Sequence, residues 1–401
     1  YMREPRPVTR AELSEKNKTL RVIAAIALLI IGAVGITAGF MSLLSKETGW
    51  QNVQITTQER NCSENFVFQY HFSGSGAEAT AVNSKLQTVY GDACVKAYQL
   101  FTPDEEIAGV NNIYYVNHHP NTEITVDPIL YEAFEKLVGT PWLYLGPVYN
   151  YYYNLILNTE ESLVEELDPL VSSQAAAYVG KLAEFAADRD AVSLELLGNN
   201  RVMLHVSQEY LTFAEAEEVD TFLDFAYLTN AFIIDYMAET LIAQGLTEGY
   251  LASVDGYTRN LTGRETFSFN IVDRVGDTVY PAGVMNYRGP VSMVFLKDYA
   301  LAAFDTFYRG SGNHIVHLFA DPLDGIYRTS RRNLVSYSYE TGCADVLLKM
   351  LPSFVGRNTA LPEGVYSVWC EDGLICYNDD AVSFGTLLRN EEISYRAVLK
   401  N

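Results

Sequence analysis

The chain has 401 residues, of which 48% are hydrophobic and 19% are charged. This composition provides enough apolar side chains for one large domain or two, which excludes wholesale disorder. The formal net charge is −22, and because residues 1–21 carry a net charge of +3, the rest of the chain carries −25. A surface this acidic repels phosphate backbones, so nucleic-acid binding is excluded.

The first predicted element is a membrane anchor. The stretch Val22–Leu44 contains no charged side chain, and a helix of that length spans roughly 34 Å, enough to cross a bilayer core. Six basic side chains precede it and only Lys46 follows closely, which keeps the N-terminus in the cytoplasm by the positive-inside rule. A cleaved signal peptide is the alternative, but its apolar core is normally shorter. We therefore interpret the segment as a signal anchor of a single-pass cell-membrane protein.

The anchor divides the chain into four parts. We predict a cytoplasmic tail at 1–21, the anchor at 22–45, a linker at 46–60 and one extracytoplasmic domain at 61–401. The chain contains five cysteines, and an odd number on the oxidising side leaves at least one thiol free or paired with another chain. Cys370 and Cys376 flank an Asp-Gly turn, where hairpin geometry favours opposite faces over a disulfide.

Periodicity predicts a mixture of helices and strands in the domain. A strand begins near Asn65, and Asp127 caps a helix that begins at Pro128 and runs to about Val138. Further predicted elements are helices at 77–100, 174–187, 235–245, 301–308 and 344–351, two strands within 191–207 around an Asn-Asn turn, and a hairpin at 365–377, while 101–121 is predicted as a loop. Helices and strands do not alternate strictly, so the fold class is α+β.

A cluster of tyrosines lies between residues 149 and 153. Tyr149, Tyr151, Tyr152 and Tyr153 could stack on a planar ligand. Such a cluster more often packs in a core or an interface, and we favour that interpretation.

Six short segments in order carry a family resemblance. They are FTPDEEI at 101–107 followed by Asn111, the helix at 126–137, Gly146-Pro147, DFAYLTNAFIID at 224–235, DPLDG at 321–325 and GCAD at 342–345. Together they resemble the ApbE family, the FAD:protein FMN transferases, over residues 60–400. The resemblance implies an ApbE-like flavin transferase fold, preceded here by a single transmembrane helix.

The resemblance also identifies candidate site residues. Seven positions align with the flavin side of the site: Glu106, Asn111, Asp224, Tyr227, Asn230, Asp235 and Gly256. Asp345 corresponds to a magnesium ligand. The family histidine three residues before Asp-Pro is Leu318 here, so His317 is an out-of-register substitute that would serve with Asp345 if the chain were active.

The departures from the family pattern concern charge and space. The family stretch D-L-G-G-I-A-K-G-Y-A-V-D has two glycines where this chain has Ala226 and Tyr227, and a tyrosine fills the space a cofactor would need. Asn230 replaces the lysine, which removes a cation from the expected pyrophosphate site. Asp255 adds a carboxylate there.

The metal position departs in the same way. Four residues after Asp345, the family threonine is Lys349, a donor that cannot ligate a cation. We expect Lys349 to pair with Asp345 along the helix, a contact worth about 0.3–0.5 kcal/mol.

Three functions are consistent with these features. The favoured one is a degenerate homologue that has lost FMN transfer and binds no cofactor, serving as a structural or docking subunit beside other membrane-complex subunits or a flavin protein. The first alternative is a divergent, active transferase that uses FAD and Mg²⁺ to attach FMN to Thr or Ser of a partner. The second is a flavin-binding module without turnover.

Overall fold

The computed structural model describes residues 49–74, 76–301, 305 and 307–400. The predicted tail and anchor lie outside these residues. Within the described ranges, no helix combines the length and apolarity that crossing a membrane requires.

The domain contains both helices and strands. The strands are β1 Gly49–Asn52, β2 Phe66–Phe72, β3 Glu123–Thr125, β4 Val192–Gly198, β5 Arg201–Val206, β6 Gly249–Ser253, β7 Tyr257–Asn260, β8 Thr266–Val275, β9 Thr278–Arg288, β10 Val291–Lys297, β11 Arg309–Ser311, β12 His314–Val316, β13 Asn333–Ser338, β14 Tyr366–Glu371, β15 Leu374–Tyr377, β16 Ser383–Gly385 and β17 Arg396–Leu399. The α-helices are α1 Gly76–Phe101, α2 Ile113–His118, α3 Pro128–Leu137, α4 Gly146–Asn150, α5 Val164–Leu167, α6 Ser173–Ala187, α7 Gln208–Ala216, α8 Thr229–Ala243 and α9 Cys343–Phe354. A π-helix spans Tyr151–Leu157, and short 3-10 turns occupy Ser63–Asn65, Trp142–Tyr144, Glu161–Leu163 and Ala226–Leu228.

A nine-stranded sheet forms the centre, in the order β1-β2-β6-β7-β10-β13-β14-β15-β17. Neighbouring strands are antiparallel except β15 and β17, which are parallel. Val294 and Leu296 of β10 belong to the core shared with α8 and α9, whereas Met293 belongs to a second core shared with β9. Because successive strand residues point to opposite faces, the middle of the sheet is buried on both sides.

Most of the predicted elements are confirmed. The helices predicted at 77–100, 128–138, 174–187 and 344–351 and the hairpin at 365–377 agree with α1, α3, α6, α9 and β14–β15 to within a few residues. The Asp127 carboxylate accepts a hydrogen bond from the Ile129 amide, as expected of a cap. Asn199 and Asn200 both have positive φ angles, which the β4–β5 turn requires.

Other predictions need correction. Helix α8 begins at Thr229, six residues before the predicted start. The prediction missed its first turns because the apolar run at 231–234 is entirely buried and shows no amphipathic period. The segment predicted as a loop contains α2. The helix predicted at 301–308 lies partly outside the described residues, and the described residues of that segment are not helical.

The cysteine thiols are all free. Cys370 lies opposite Ile375 in the hairpin and Cys376 lies opposite Trp369, so the two thiols occupy different faces, as hairpin geometry predicts. The buried Cys62 thiol donates a hydrogen bond to the Cys94 carbonyl oxygen over 3.4 Å.

Candidate functional site

Parts of two of the family-like segments, 101–107 and 224–235, meet at two adjoining cavities. The larger one, here called the acidic pocket, has a volume of about 210 Å³ and is lined by Pro103, Asp104, Tyr149, Asn150, Tyr153, Asn154, Asp224, Ala226, Thr229, Phe307 and Leu318. The smaller one, the inner cavity, has a volume of about 30 Å³ and is lined by Tyr227, Asp255, Tyr257, Phe295, Leu296, Lys297, Phe307, Tyr308, Leu318 and Phe319. Phe307 and Leu318 border both.

A buried asparagine fixes the chain that carries Asp224 into the acidic pocket. The Asn117 side chain accepts hydrogen bonds from the amides of Phe222 and Leu223 over 2.9 and 2.8 Å, and donates one to the Leu223 carbonyl. The Asp224 carboxylate then accepts a 2.8 Å hydrogen bond from the Ala226 amide. These contacts hold Asp224 at the start of the turn that leads into α8.

The Asp224 carboxyl is 7% exposed. Burial raises its pKa to about 7, and the nearby Asp104 carboxylate adds to the shift. Burial also raises the pKa of Asp104. Among the described residues no basic side chain lines this pocket, so Asp104 and Asp224 give its lining a negative charge when they are ionised.

Tyr227 fills the space next to the pocket. Its ring packs edge-on against Tyr149 and Phe319, with centroid distances of 5.6 and 4.9 Å. Its backbone carbonyl accepts a 2.6 Å hydrogen bond from the Tyr257 hydroxyl. The Tyr227 hydroxyl itself is buried and has no hydrogen-bond partner among the described residues. The Tyr227 ring therefore fills the space between Tyr149 and Phe319.

The inner cavity contains a cation that is already paired. Lys297 Nζ lies 2.8 Å from the Asp305 carboxylate and 4.2 Å from the Tyr308 ring centroid. The Asn230 amide donates a 3.0 Å hydrogen bond to Asp255. Burial raises the pKa of Asp255 to about 6 and lowers the pKa of Lys297. The volume of this cavity suits a water molecule rather than an organic ligand.

Gly256 has a structural explanation. Its φ is +104°, and a Cβ atom there would lie 2.3 Å from the Phe295 carbonyl oxygen. The Phe295 amide donates to the Gly256 carbonyl over 2.8 Å. The close approach of β10 therefore requires glycine here, whether or not a cofactor binds.

Asp235 caps a helix. Its carboxylate accepts 2.8 Å hydrogen bonds from the amides of Cys343 and Ala344, the first two residues of α9. It also pairs with Arg259 over 2.6 Å. Burial raises the pKa of Asp235, although Arg259 and the two amides oppose this shift. Asp235 thus joins the middle of α8 to the first turn of α9.

The predicted pair between Asp345 and Lys349 is wrong. Asp345 instead pairs with Lys136, near the C-terminal end of α3, over 2.7 Å. Lys349 extends the other way and donates to the Gly364 carbonyl over 3.3 Å. The described residues contain no cluster of three His, Cys, Asp or Glu side chains that could hold a metal ion. The Lys136 ammonium group pairs with Asp345, and the Lys349 ammonium group lies one turn further along α9. Two cations at this position do not fit Mg²⁺.

The remaining candidates lie apart from the acidic pocket. His317 is buried, and burial lowers its pKa to about 3, so the imidazole is neutral. It borders a groove on the side of Arg328 and Arg332. Glu106 is exposed, and the Asn111 amide donates to the Thr125 carbonyl in a different groove. Asp224 lines the acidic pocket, Tyr227 lines the inner cavity, and Asn230 contacts Asp255 of the inner cavity. His317, Glu106 and Asn111 line neither cavity.

Several residues that define the site carry no local signal in the sequence. Lys297, which lines the inner cavity, forms an ion pair with Asp305. Lys136 forms an ion pair with the Asp345 carboxylate. Asp104 lay within the family-like loop but was not singled out. Lys136 and Asp345 are 209 residues apart, so no local pattern signals that contact.

Comparisons with known proteins bear on the fold. No protein-family model and no curated protein matches the chain. Among solved structures, the ApbE protein from Thermotoga maritima has 12% identity and a TM-score of 0.51, covering 84% of this chain and 96% of that one. The flavin transferase ApbE from Vibrio cholerae has 11% identity and a TM-score of 0.53, covering 84% and 97%. The chain therefore has an ApbE-like fold.

Proposed function

We propose that the chain is a non-catalytic ApbE-like subunit that serves a structural or docking role in a membrane complex. The observation that carries this proposal is the charge of the acidic pocket. Asp104 and Asp224 face it, and the described lining offers no cation. Lys297, which lines the adjoining inner cavity, is paired with Asp305.

The substrate of a flavin transferase requires a site with positive charge or hydrogen-bond donors, and the acidic pocket has negative charge instead. The pyrophosphate of FAD is anionic and needs donors or cations to replace water. Carboxylates in its place repel it. The pocket volume of about 210 Å³ is also below the roughly 300–1,000 Å³ of typical small-molecule sites. Both charge and space oppose FAD.

The magnesium position supports the same proposal. Phosphoryl transfer depends on a metal ion and cations that neutralise charge in the transition state. Asp345 is paired with Lys136, and Lys349 stands where the family has a second ligand. The residues at these positions therefore do not fit FAD or Mg²⁺.

The docking role draws on two further features. The apolar stretch at 22–45 predicts a tether, and its charged flanks predict that the domain lies outside the cytoplasm. A tethered domain that keeps its fold and lacks the charges for its chemistry is suited to binding another subunit. The solved relative from Vibrio cholerae is described as a flavin transferase, so a flavin protein is a reasonable partner class.

A flavinylation assay tests the loss of chemistry. The 401-residue chain in detergent is incubated with FAD, Mg²⁺ and an acceptor protein that carries a target threonine, with the Vibrio cholerae enzyme as the positive control. We expect fluorescent flavin on the acceptor only in the control. Covalent flavin formed by this chain at a comparable rate would refute the proposal.

Affinity purification from detergent-solubilised membranes tests the docking role. We expect a membrane protein to co-purify in a fixed ratio, and in-gel flavin fluorescence reports whether that protein carries flavin. Recovery of the chain alone after chemical crosslinking would contradict a docking role.

A further inference from the structure

We propose that the acidic pocket binds a small organic cation, an alkylammonium or guanidinium group. This inference rests on the proposed function, because a pocket that accepted FAD would not leave this space for a cation.

The first support is a buried carboxylate without a counter-charge. Asp224 is 7% exposed, and its one hydrogen bond of normal geometry comes from the Ala226 amide. No basic side chain of the described residues reaches it, and Asp104 on the same pocket wall is also acidic. A buried carboxylate without a cation is costly. A cationic ligand would relieve that cost for Asp224 and would also be attracted by the exposed Asp104 carboxylate on the same wall.

The second support is the aromatic wall. The rings of Tyr149, Tyr153 and Phe307 line the same pocket. Tyr153 is 43% exposed, and its ring lies 6.2 Å from that of Phe307. An ammonium or guanidinium group beside the exposed Tyr153 ring gains cation–π attraction. Carboxylates and rings facing one space are thus complementary to a cation with an apolar stem.

The third support is the backbone that presents this wall. Tyr153 and Asn154 lie in the π-helix Tyr151–Leu157. Such helices are rare and occur often at functional sites. The side-chain amides of Asn150 and Asn154 form no hydrogen bond within the described residues and are positioned on the pocket. Their oxygen atoms are acceptors for the N–H groups of a cation.

The pocket is small enough to select a group rather than a large molecule. A volume of about 210 Å³ accommodates an alkylammonium of a few carbons. That chemistry occurs in free amines and in the lysine or arginine side chains of a partner protein. The two sources share the charged head and differ in what surrounds it.

Isothermal titration of the 401-residue chain with butylammonium chloride tests the inference. We expect saturable binding, with no saturable heat from 1-butanol, which lacks the charge, or from sodium butyrate, which has the opposite charge. Asp224→Asn retains the acceptor for the Ala226 amide and should fold, and we expect it to weaken binding at least tenfold. Asp380→Asn, on the exposed C-terminal segment, is the matched control and should leave the affinity unchanged.

Protonation gives a second readout. The titratable groups around Asp224 are Asp104 and the phenols of Tyr149 and Tyr227. Because the Asp224 pKa is about 7, its ionised fraction, and with it the affinity, should rise about tenfold between pH 6 and pH 8. Asp224→Asn should remove this rise. An exposed-ring variant, Tyr153→Leu, should weaken binding at both pH values.

Further titrations separate the sources and the possible failures. Equal affinity for butylammonium and the peptide acetyl-Ala-Lys-Ala-amide favours a free amine, and tighter binding of the lysine peptide or its arginine counterpart favours a partner side chain. Absence of saturable binding by all these cations, or equal affinity in Asp224→Asn, overturns the inference. If FAD also fails to bind, the non-catalytic role still stands. If FAD binds and butylammonium does not, both proposals fall.

Discussion

Asp224 is the residue at which burial and charge conflict most strongly. An aspartate has a pKa of about 3.9 in an unfolded chain, whereas burial raises that of Asp224 to about 7. Between these values the folded state binds a proton that the unfolded state does not, so this group lowers the unfolding free energy as pH rises from about 4 to 7. Above pH 7 its contribution is constant.

Replacing Asp224 by asparagine should remove this pH dependence. Asparagine keeps the acceptor for the Ala226 amide and has no ionisation cost. We therefore expect the stability difference, the unfolding free energy of Asp224→Asn minus that of the native chain, to be larger at pH 8 than at pH 4 by about 2–4 kcal/mol. Denaturant unfolding at several pH values measures the difference. Parallel profiles for the two chains would contradict it, and Asp380→Asn should remain parallel to the native chain.

Ala226 carries backbone strain beside the same pocket. Its φ is +45°, in the left-handed region that favours glycine, and the family stretch has glycine there. Ala226→Gly should relieve about 1–2 kcal/mol of strain and add about 0.5–1 kcal/mol of unfolded-state entropy. We expect a net stabilisation of about 0.5–1 kcal/mol.

Denaturant unfolding of Ala226→Gly tests this expectation. Ala238→Gly, inside α8, is the matched control and should destabilise by about 1 kcal/mol or more, because glycine is unfavourable in a helix interior. If both variants destabilise alike, the strain at Ala226 does not contribute to stability.

At the scale of elements, the contact between α8 and α9 depends on Asp235. Its carboxylate caps α9 and pairs with Arg259, whose side chain is 12% exposed. Asp235→Ala leaves a mostly buried guanidinium without that partner and leaves two helix amides uncapped. We expect a loss of about 2–4 kcal/mol in unfolding free energy.

The same arginine provides a control. Glu239 also pairs with Arg259, but its side chain is 67% exposed. Glu239→Ala should therefore cost under about 0.5 kcal/mol. Similar losses for the Asp235 and Glu239 variants, measured by denaturant unfolding, would contradict the capping role.

Patterns local in sequence predicted the elements well. Asp127 with Pro128 specifies the start of α3, because the cap and the first-turn proline act within one turn. The hydrophobic residues of α1 and α9 follow helical spacing. The predicted start of α8 is six residues late because residues 231–234 are four consecutive apolar residues, all buried, and such a run shows no helical period.

The site was less predictable because its contacts are distant in sequence. The tyrosine cluster illustrates this: Tyr149, Tyr151 and Tyr152 are buried as favoured, while Tyr153 is exposed. The family-like stretch identified Asp224 and Tyr227, but nothing local shows that Lys136 occupies Asp345. Helical spacing offers Lys349 as the partner of Asp345, and a lysine from α3 takes that position instead.

At the scale of the whole molecule, the charge distribution predicts the orientation in the membrane. Six basic side chains precede residue 22 and only Lys46 follows the span closely, so the positive-inside rule predicts that the tail and the domain lie on opposite sides of a bilayer. The native thiols should react little with a maleimide, so orientation can be measured by labelling introduced cysteines. Four of the five are buried, and burial raises the pKa of Cys370, the fifth, which lowers its reactivity.

Two introduced cysteines therefore report orientation over a low background. Asp380→Cys lies on the exposed C-terminal segment of the domain, and Ser14→Cys lies in the predicted tail. We expect a membrane-impermeant maleimide added to intact cells to label the first and spare the second, with both labelled after the membrane is permeabilised. Because the basic residues before the span set the direction, replacing Arg3, Arg6 and Arg10 by glutamate should reduce labelling of the first cysteine and increase that of the second. Equal labelling of both cysteines in intact cells would contradict a spanning anchor, and the reverse pattern would place the domain in the cytoplasm.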